Sequence, residues 1–218
     1  MGNKHSRNII YTFLPGLIAI FITFFSLPIF LNYFDKTIYA DYLINHFLLT
    51  ISTILSFQFG KIASIKLQLI DRKLKNDFIY TSIFFSVIIG FAASILAFAI
   101  LNYALKNFNL ININFTILIG FSLTIIYINL EYIARGLGFF KVTSFSNLVF
   151  YSISISLPGI LIITDVDKEI LVNNLFNISL IIKFMSLLFL IVLIFDKKLF
   201  LNSKINLKLV NKFFFHTK

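Results

Sequence analysis

Six long apolar segments account for most of this chain and constrain its fold more than any other feature. Each is long enough to cross a hydrocarbon core, which needs about 20 helical residues. The segments are Ile9–Phe34, Tyr42–Phe59, Phe78–Leu105, Phe115–Leu137, Val142–Ile163 and Leu171–Phe195. The pattern predicts an all-α membrane protein, with residues 1–195 forming a bundle of six transmembrane helices and 196–218 a basic, amphipathic tail at the cytoplasmic face.

Basic residues fall on every second connection between these segments, which predicts the orientation of the bundle. With the N-terminus in the cytoplasm, 15 of the 19 Lys and Arg residues lie on the inner side, and five of the nine acidic residues lie on the outer connections. This is the positive-inside bias of membrane proteins. We therefore expect a multi-pass membrane protein with both termini in the cytoplasm. The net charge of +10 then reflects topology and attraction to anionic lipids, and not nucleic-acid binding.

Composition excludes several classes of protein. With 59% hydrophobic and 13% charged residues, a soluble fold of this size could not bury its apolar surface. The chain has no cysteine, which removes disulfides, thiolate zinc sites and cysteine nucleophiles. The motifs of six-span serine proteases, membrane metalloproteases and P-loop proteins are missing, and the three histidines are scattered. The sequence therefore predicts no enzyme, no metal site and no cofactor.

The three prolines lie inside predicted spans: Pro15 and Pro28 in the first and Pro158 in the fifth. A proline frees a backbone carbonyl and bends a spanning helix, so these residues are hinge candidates in a transporter. Proline is also common in membrane helices generally, and this alternative stays open. On the third segment, Ser86, Gly90 and Ser94 form a stripe of small residues that predicts close helix packing.

Lys183 is the deepest charge in the chain, near the middle of the sixth segment. Ionisable groups at this depth are costly and usually functional. One interpretation is a cation that faces a water-filled cavity and attracts an anionic substrate group. The other is a side chain that extends to the membrane surface, with the span beginning near Leu180.

Three further charged residues are candidates for substrate binding. Glu131 and Arg135 stand four apart near the inner end of the fourth segment, the favourable order for a helical ion pair. The pair could serve only to make two charges tolerable there, or Arg135 could bind phosphate through its forked donors. Lys61, at the inner end of the second segment, is more simply explained as a determinant of topology.

Four short stretches resemble a known transporter family. The opening Arg7-Asn-Ile-Ile-Tyr-Thr-Phe-Leu-Pro-Gly-Leu, the later Leu27-Pro-Ile-Phe-Leu with Tyr39-Ala-Asp-Tyr, and the link Arg135-Gly-Leu-Gly-Phe-Phe-Lys141 are similar to those of polysaccharide-biosynthesis (Wzx-type) flippases. These belong to the multidrug/oligosaccharidyl-lipid/polysaccharide exporter superfamily and share its MATE-like architecture. The resemblance implies movement of an undecaprenyl-diphosphate-linked oligosaccharide, as used for O-antigen, through a cationic cavity between two six-helix lobes. It also implies that the chain lies in the bacterial inner (plasma) membrane.

The chain departs from that family in length. Members have twelve to fourteen spans, whereas six are predicted here, so the chain resembles the N-terminal lobe alone. A two-lobe cavity would then need a homodimer or a separately encoded second lobe. The alternatives are a membrane scaffold or assembly subunit that does not transport, and an inactive truncated product. A lipid-modifying membrane enzyme is a weaker alternative, because no convincing acid, base or nucleophile set is present.

Overall fold

The computed structural model describes residues 2–52, 54, 59–71, 74–106, 115–156, 168–194 and 205–210. All regular secondary structure in these ranges is helical. The helices are α1 (Gly2–Tyr33), α2 (Lys36–Ser52), α3 (Phe59–Lys66), α4 (Lys75–Lys106), α5 (Phe115–Gly136), α6 (Phe140–Asn147), a π-helical turn (Leu148–Ile153), α7 (Lys168–Ile194) and α8 (Leu207–Val210).

Four of these helices are long and apolar enough to cross a membrane. The spanning stretches are Phe13–Tyr33 in α1, Lys75–Tyr103 in α4, Thr116–Gly136 in α5 and Asn174–Ile194 in α7. They correspond to the first, third, fourth and sixth apolar segments of the sequence. By their length and composition, these four helices are those of a multi-pass helical membrane protein.

The second and fifth apolar segments have a different structure from the single long helices predicted for them. In the second, α2 ends at Ser52 after 17 residues, at the lower limit of a spanning helix, and α3 begins only at the last residue of the segment, Phe59. In the fifth, the helix changes from α6 to the π-helical turn and returns to α-helix over 154–156. Residues 53, 55–58 and 157–167 lie outside the described part of the chain, so six spans remain a prediction.

The chain divides into two compact units. The first unit comprises Met1–Leu49 and Phe140–Phe189, and in it α1 packs against α6 and the π-helical turn. The end of α1 places Phe30 on the same helical face as Phe34, four residues later. These rings pack with α2 and α7 in a buried cluster that consists of Phe30, Phe34, Tyr39, Tyr42 and Leu175.

The second unit comprises Thr50–Phe139 and Leu190–Lys218, and α5 is its central helix. Helices α3 and α4 both pack on α5, whose spanning stretch is 83% buried. The stripe predicted on α4 makes this contact: a Cβ on Gly90 would overlap the Ile126 side chain, and the Ser94 and Ser122 hydroxyls are 2.7 Å apart. The close packing predicted for this stripe is confirmed.

A glycine cap ends α5 within the link that follows the fourth apolar segment. Gly138 has a φ of +93°, which is costly for residues with a side chain. Its N–H donates to the Arg135 carbonyl, and the N–H of Phe139 donates to the Ala134 carbonyl. This is the Schellman pattern, which satisfies carbonyls that the helix end would leave unpaired.

Candidate functional site

Lys183 lies on α7 inside the first unit, with 3% of its surface exposed. Its Nζ donates a hydrogen bond of 2.9 Å to the Phe150 carbonyl. The same atom lies 4.1 Å from the centre of the Phe150 ring and 5.5 Å from that of Tyr151, within the range of cation–π attraction. The structure therefore favours a side chain directed into the protein over one that extends to the membrane surface.

The carbonyl that receives Lys183 belongs to the π-helical turn. A π-helix pairs each N–H with the carbonyl five residues earlier, and such turns are rare. Here the Ser154 N–H donates to the Val149 carbonyl, whereas an α-helix would direct it to Phe150. The Phe150 carbonyl accepts bonds from the Ser154 hydroxyl and Lys183 instead.

Tyr42 on α2 contacts the same segment one turn further along. Its hydroxyl donates to the Ile155 carbonyl at 2.9 Å and lies 3.4 Å from the Ser154 carbonyl. The Tyr42 ring meets the buried His46 ring edge to face, with centres 4.6 Å apart, and His46 in turn contacts Phe176 at 5.7 Å. Side chains of α2 and α7 thus both bond to the backbone around the π-helical turn.

Serine side chains line the contact between the fifth and sixth apolar segments. The Ser146 and Ser186 hydroxyls are 2.9 Å apart, and Ser186 also donates to the Ser146 carbonyl at 3.0 Å. Many further serines in these segments are buried: Ser144, Ser152, Ser154, Ser156 and Ser179. Lys183 therefore lies in a polar layer inside an apolar unit, where the local environment can tolerate a charge.

Sequence reasoning missed Tyr42, His46 and this serine layer. Tyr39, Tyr42 and His46 are spaced by three and four residues, which places them on one helical face. The clustering of serines over 144–156 in an otherwise apolar stretch was a second available signal. Neither signal shows which residues of α7 these side chains contact. The contacts between α2 and α7 join residues more than 100 positions apart in the sequence, and those between the fifth segment and α7 join residues about 35 positions apart.

The other predicted site residues lie in the second unit. Glu131 and Arg135 form the ion pair expected from their spacing; Glu131 is buried, whereas 23% of the Arg135 side chain is exposed. Lys61 is exposed on α3. The structure therefore brings Glu131 and Arg135 together, and it places Lys61 on the same unit and Lys183 on the other.

Asn129 is a further buried polar residue of the second unit that the sequence did not single out. Its Oδ1 accepts a 2.9 Å hydrogen bond from the Gly60 N–H at the start of α3. Within the described ranges its Nδ2 has no hydrogen-bond partner. The bond between the Gly60 N–H and Asn129 Oδ1 joins α3 to α5 at the point where the two backbones approach most closely.

Two of the three prolines predicted as hinge candidates lie in the described part of the chain. Helix α1 continues through both Pro15 and Pro28; Pro15 is buried and Pro28 is exposed. Pro158 lies outside the described residues. Whether the prolines act as hinges stays a prediction.

Metal binding receives no support from the described ranges, which hold no group of three or more His, Asp or Glu residues that could share an ion. No protein-family model, curated protein or solved structure matches the chain. The flippase resemblance therefore remains a prediction from the sequence.

Proposed function

We propose that this chain is a membrane transporter that moves an undecaprenyl-diphosphate-linked oligosaccharide between the leaflets of the bacterial inner membrane, for surface polysaccharide synthesis. In this proposal the chain supplies one six-helix lobe, and a second copy or a separate lobe completes the pathway. Lys183 binds the diphosphate, and the other basic candidates, Arg135 and Lys61, attract the head group at the inner face.

The observation that carries this proposal is the environment of Lys183. Its partners are neutral: one backbone carbonyl and two aromatic rings. Among the described residues no carboxylate lies within ion-pair distance of its Nζ. Charged groups inside a membrane are expensive and usually mark ion or substrate pathways. A phosphate oxygen would accept from this ammonium as the carbonyl does and would also carry a compensating negative charge, which makes the bond stronger.

A transport assay tests the role of Lys183 directly. Proteoliposomes would contain the purified chain and a lipid-linked oligosaccharide, and a glycosidase added outside would report how much oligosaccharide reaches the outer leaflet. Lys183→Ala should lower this rate at least about tenfold, which corresponds to about 1.4 kcal/mol of lost binding. Lys141→Ala, at an exposed position of α6, is the matched control and should transport normally. Full transport by Lys183→Ala would remove Lys183 from the mechanism.

A membrane scaffold is the second candidate, and one observation favours it: Lys183 is already bonded and fully enclosed by the first unit. Cysteine labelling separates the two functions, because the chain has no cysteine of its own. Ser179→Cys and Ser186→Cys place thiols on the Lys183 face of α7, and Ile181→Cys places one at an exposed position.

Reaction of the two buried cysteines with a water-soluble, membrane-impermeant reagent would support a transporter with an aqueous cavity. Ile181→Cys should react with lipid-soluble reagents only. If the two buried cysteines behave in the same way, or react with no reagent, a packed scaffold is the better description.

A further inference from the structure

The π-helical turn is held by side chains from two other helices of the first unit. Lys183 on α7 bonds to the Phe150 carbonyl, and Tyr42 on α2 bonds to the Ile155 carbonyl. The two bonded carbonyls are five residues apart. Both bonds therefore act on one short segment, at the place where its helical register departs from the α-helix.

The register of this segment determines which partner the Phe150 carbonyl has. In the present structure the Ser154 N–H donates to Val149, and Lys183 bonds to the Phe150 carbonyl. In an α-helical register the Ser154 N–H would return to the Phe150 carbonyl. The Ser154 hydroxyl also donates to this carbonyl, so the carbonyl stays satisfied within the protein when Lys183 leaves. The Ser154 N–H replaces the lost bond if the register changes at the same time.

We propose that the π-helical turn is a latch on the Lys183 site. In the latched state the Phe150 carbonyl and ring occupy the ammonium group. In the open state the turn becomes α-helical, Ser154 satisfies Phe150, and Lys183 is available to an anionic phosphate group. Tyr42 is the positioning residue that holds the latched register. This inference rests on the proposed role of Lys183 in transport and describes how that site is controlled.

The latch couples substrate binding to helix register through the donors of one carbonyl. The Phe150 carbonyl keeps the Ser154 hydroxyl as a donor, and its second donor is Lys183 in the latched state and the Ser154 N–H in the open state. A ligand shifts such an equilibrium only by its differential affinity for the two states. Here the difference comes from burial, because Lys183 is 3% exposed in the latched state and a phosphate reaches it only in the open state.

The test measures how fast Lys183 reacts with a small water-soluble acylating reagent, with each lysine followed by mass spectrometry. Tyr42→Phe keeps the ring and removes only the hydroxyl that bonds to Ile155. Tyr39→Phe is the matched control on the same helix and in the same buried cluster. Tyr42→Phe should raise the acylation rate of Lys183 about fivefold relative to the unmodified chain, the effect of one lost hydrogen bond, and Tyr39→Phe should leave it unchanged.

Equal acylation of Lys183 in the two variants would overturn the latch, as would an increase confined to lysines elsewhere in the chain. A second measurement needs no variant: hydrogen exchange of the unmodified protein should show residues 148–156 opening at least about tenfold more often than residues 174–187 of α7. Equal protection of the two segments would also overturn the latch.

These readouts do not depend on transport, so the two ideas can fail separately. A faster acylation of Lys183 in Tyr42→Phe, together with full transport by Lys183→Ala, would retain the latch and reject the transport role. Loss of transport in Lys183→Ala with no effect of Tyr42→Phe would retain the transport role and reject the latch.

Discussion

The close approach of α3 and α5 gives the sharpest test of the fold, through the substitution Gly60→Ala. A Cβ at Gly60 would lie 2.5 Å from the Cα and 2.8 Å from the carbonyl carbon of Asn129, with its carbonyl oxygen closer still. Carbon atoms in contact stay about 3.5 Å apart, so the two helices would have to separate by about 1 Å. The obstacle is backbone, and no change of side-chain rotamer can relieve it.

The expected cost follows from two effects. Overpacking in a well-packed core costs about 1 to 3 kcal/mol. Separation of the helices also strains the bond from the Gly60 N–H to Asn129 Oδ1, and a buried polar group left unpaired costs about 1 to 3 kcal/mol. The better helix propensity of alanine returns about 1 kcal/mol. We expect a net loss of about 3 kcal/mol in the free energy of unfolding.

The assay is unfolding by dodecyl sulfate in mixed micelles, with helix content followed by circular dichroism. Gly16→Ala on α1 is the control, since a Cβ there meets nothing within 4 Å, and it should be neutral or slightly stabilising. Gly136→Ala should fall between the two, because its Cβ would lie 2.9 Å from the Ser64 Cα. Unfolding of Gly60→Ala and Gly16→Ala at the same detergent fraction would show that α3 and α5 do not approach each other this closely.

Three further substitutions in the second unit can be measured in the same way. Ser122→Ala should cost about 0.6 kcal/mol, a value typical of interhelical hydrogen bonds in membranes. A double-mutant cycle with Ser94→Ala should give the same value as the interaction energy of the two hydroxyls. Additive effects of the two substitutions would show that the contact contributes nothing. Gly138→Ala should cost about 1 kcal/mol, since φ is positive at this residue and a side chain there is strained. Unchanged stability would mean that the glycine cap of α5 is dispensable. Arg135→Gln should cost about 2 kcal/mol, a value between those of exposed and buried ion pairs, whereas the control Lys141→Gln should leave stability unchanged. Equal effects of the two substitutions would show that the Glu131–Arg135 pair does not stabilise the fold.

The sequence predicted the parts of this structure that depend on short spacings. The long apolar segments predicted α1, α4, α5 and α7 because hydrophobic length alone determines whether a helix can span a bilayer. The Glu131–Arg135 pair followed from the geometry of one helical turn. The packing of α4 on α5 through Gly90 and Ser94 followed from the small size of those residues.

The parts that the sequence did not predict depend on contacts between distant segments. The π-helical turn has an ordinary apolar composition, and the bonds that Lys183 and Tyr42 make to the backbone around it follow from no local pattern. Asn129 could not be linked to Gly60 because nothing in the sequence shows which helices are neighbours.

The two units treat their buried charges differently, and this difference is the reason for proposing Lys183 as the residue that binds the diphosphate. In the second unit Glu131 pairs with Arg135, so the charge of each is largely compensated. In the first unit Lys183 has a carbonyl and two rings as partners, and none of these carries a compensating charge. A lysine kept only for packing could be replaced by an apolar side chain at no cost to function. An ammonium group held by exchangeable neutral partners is suited to accept an anion, which is the property that a carrier of a diphosphate lipid requires.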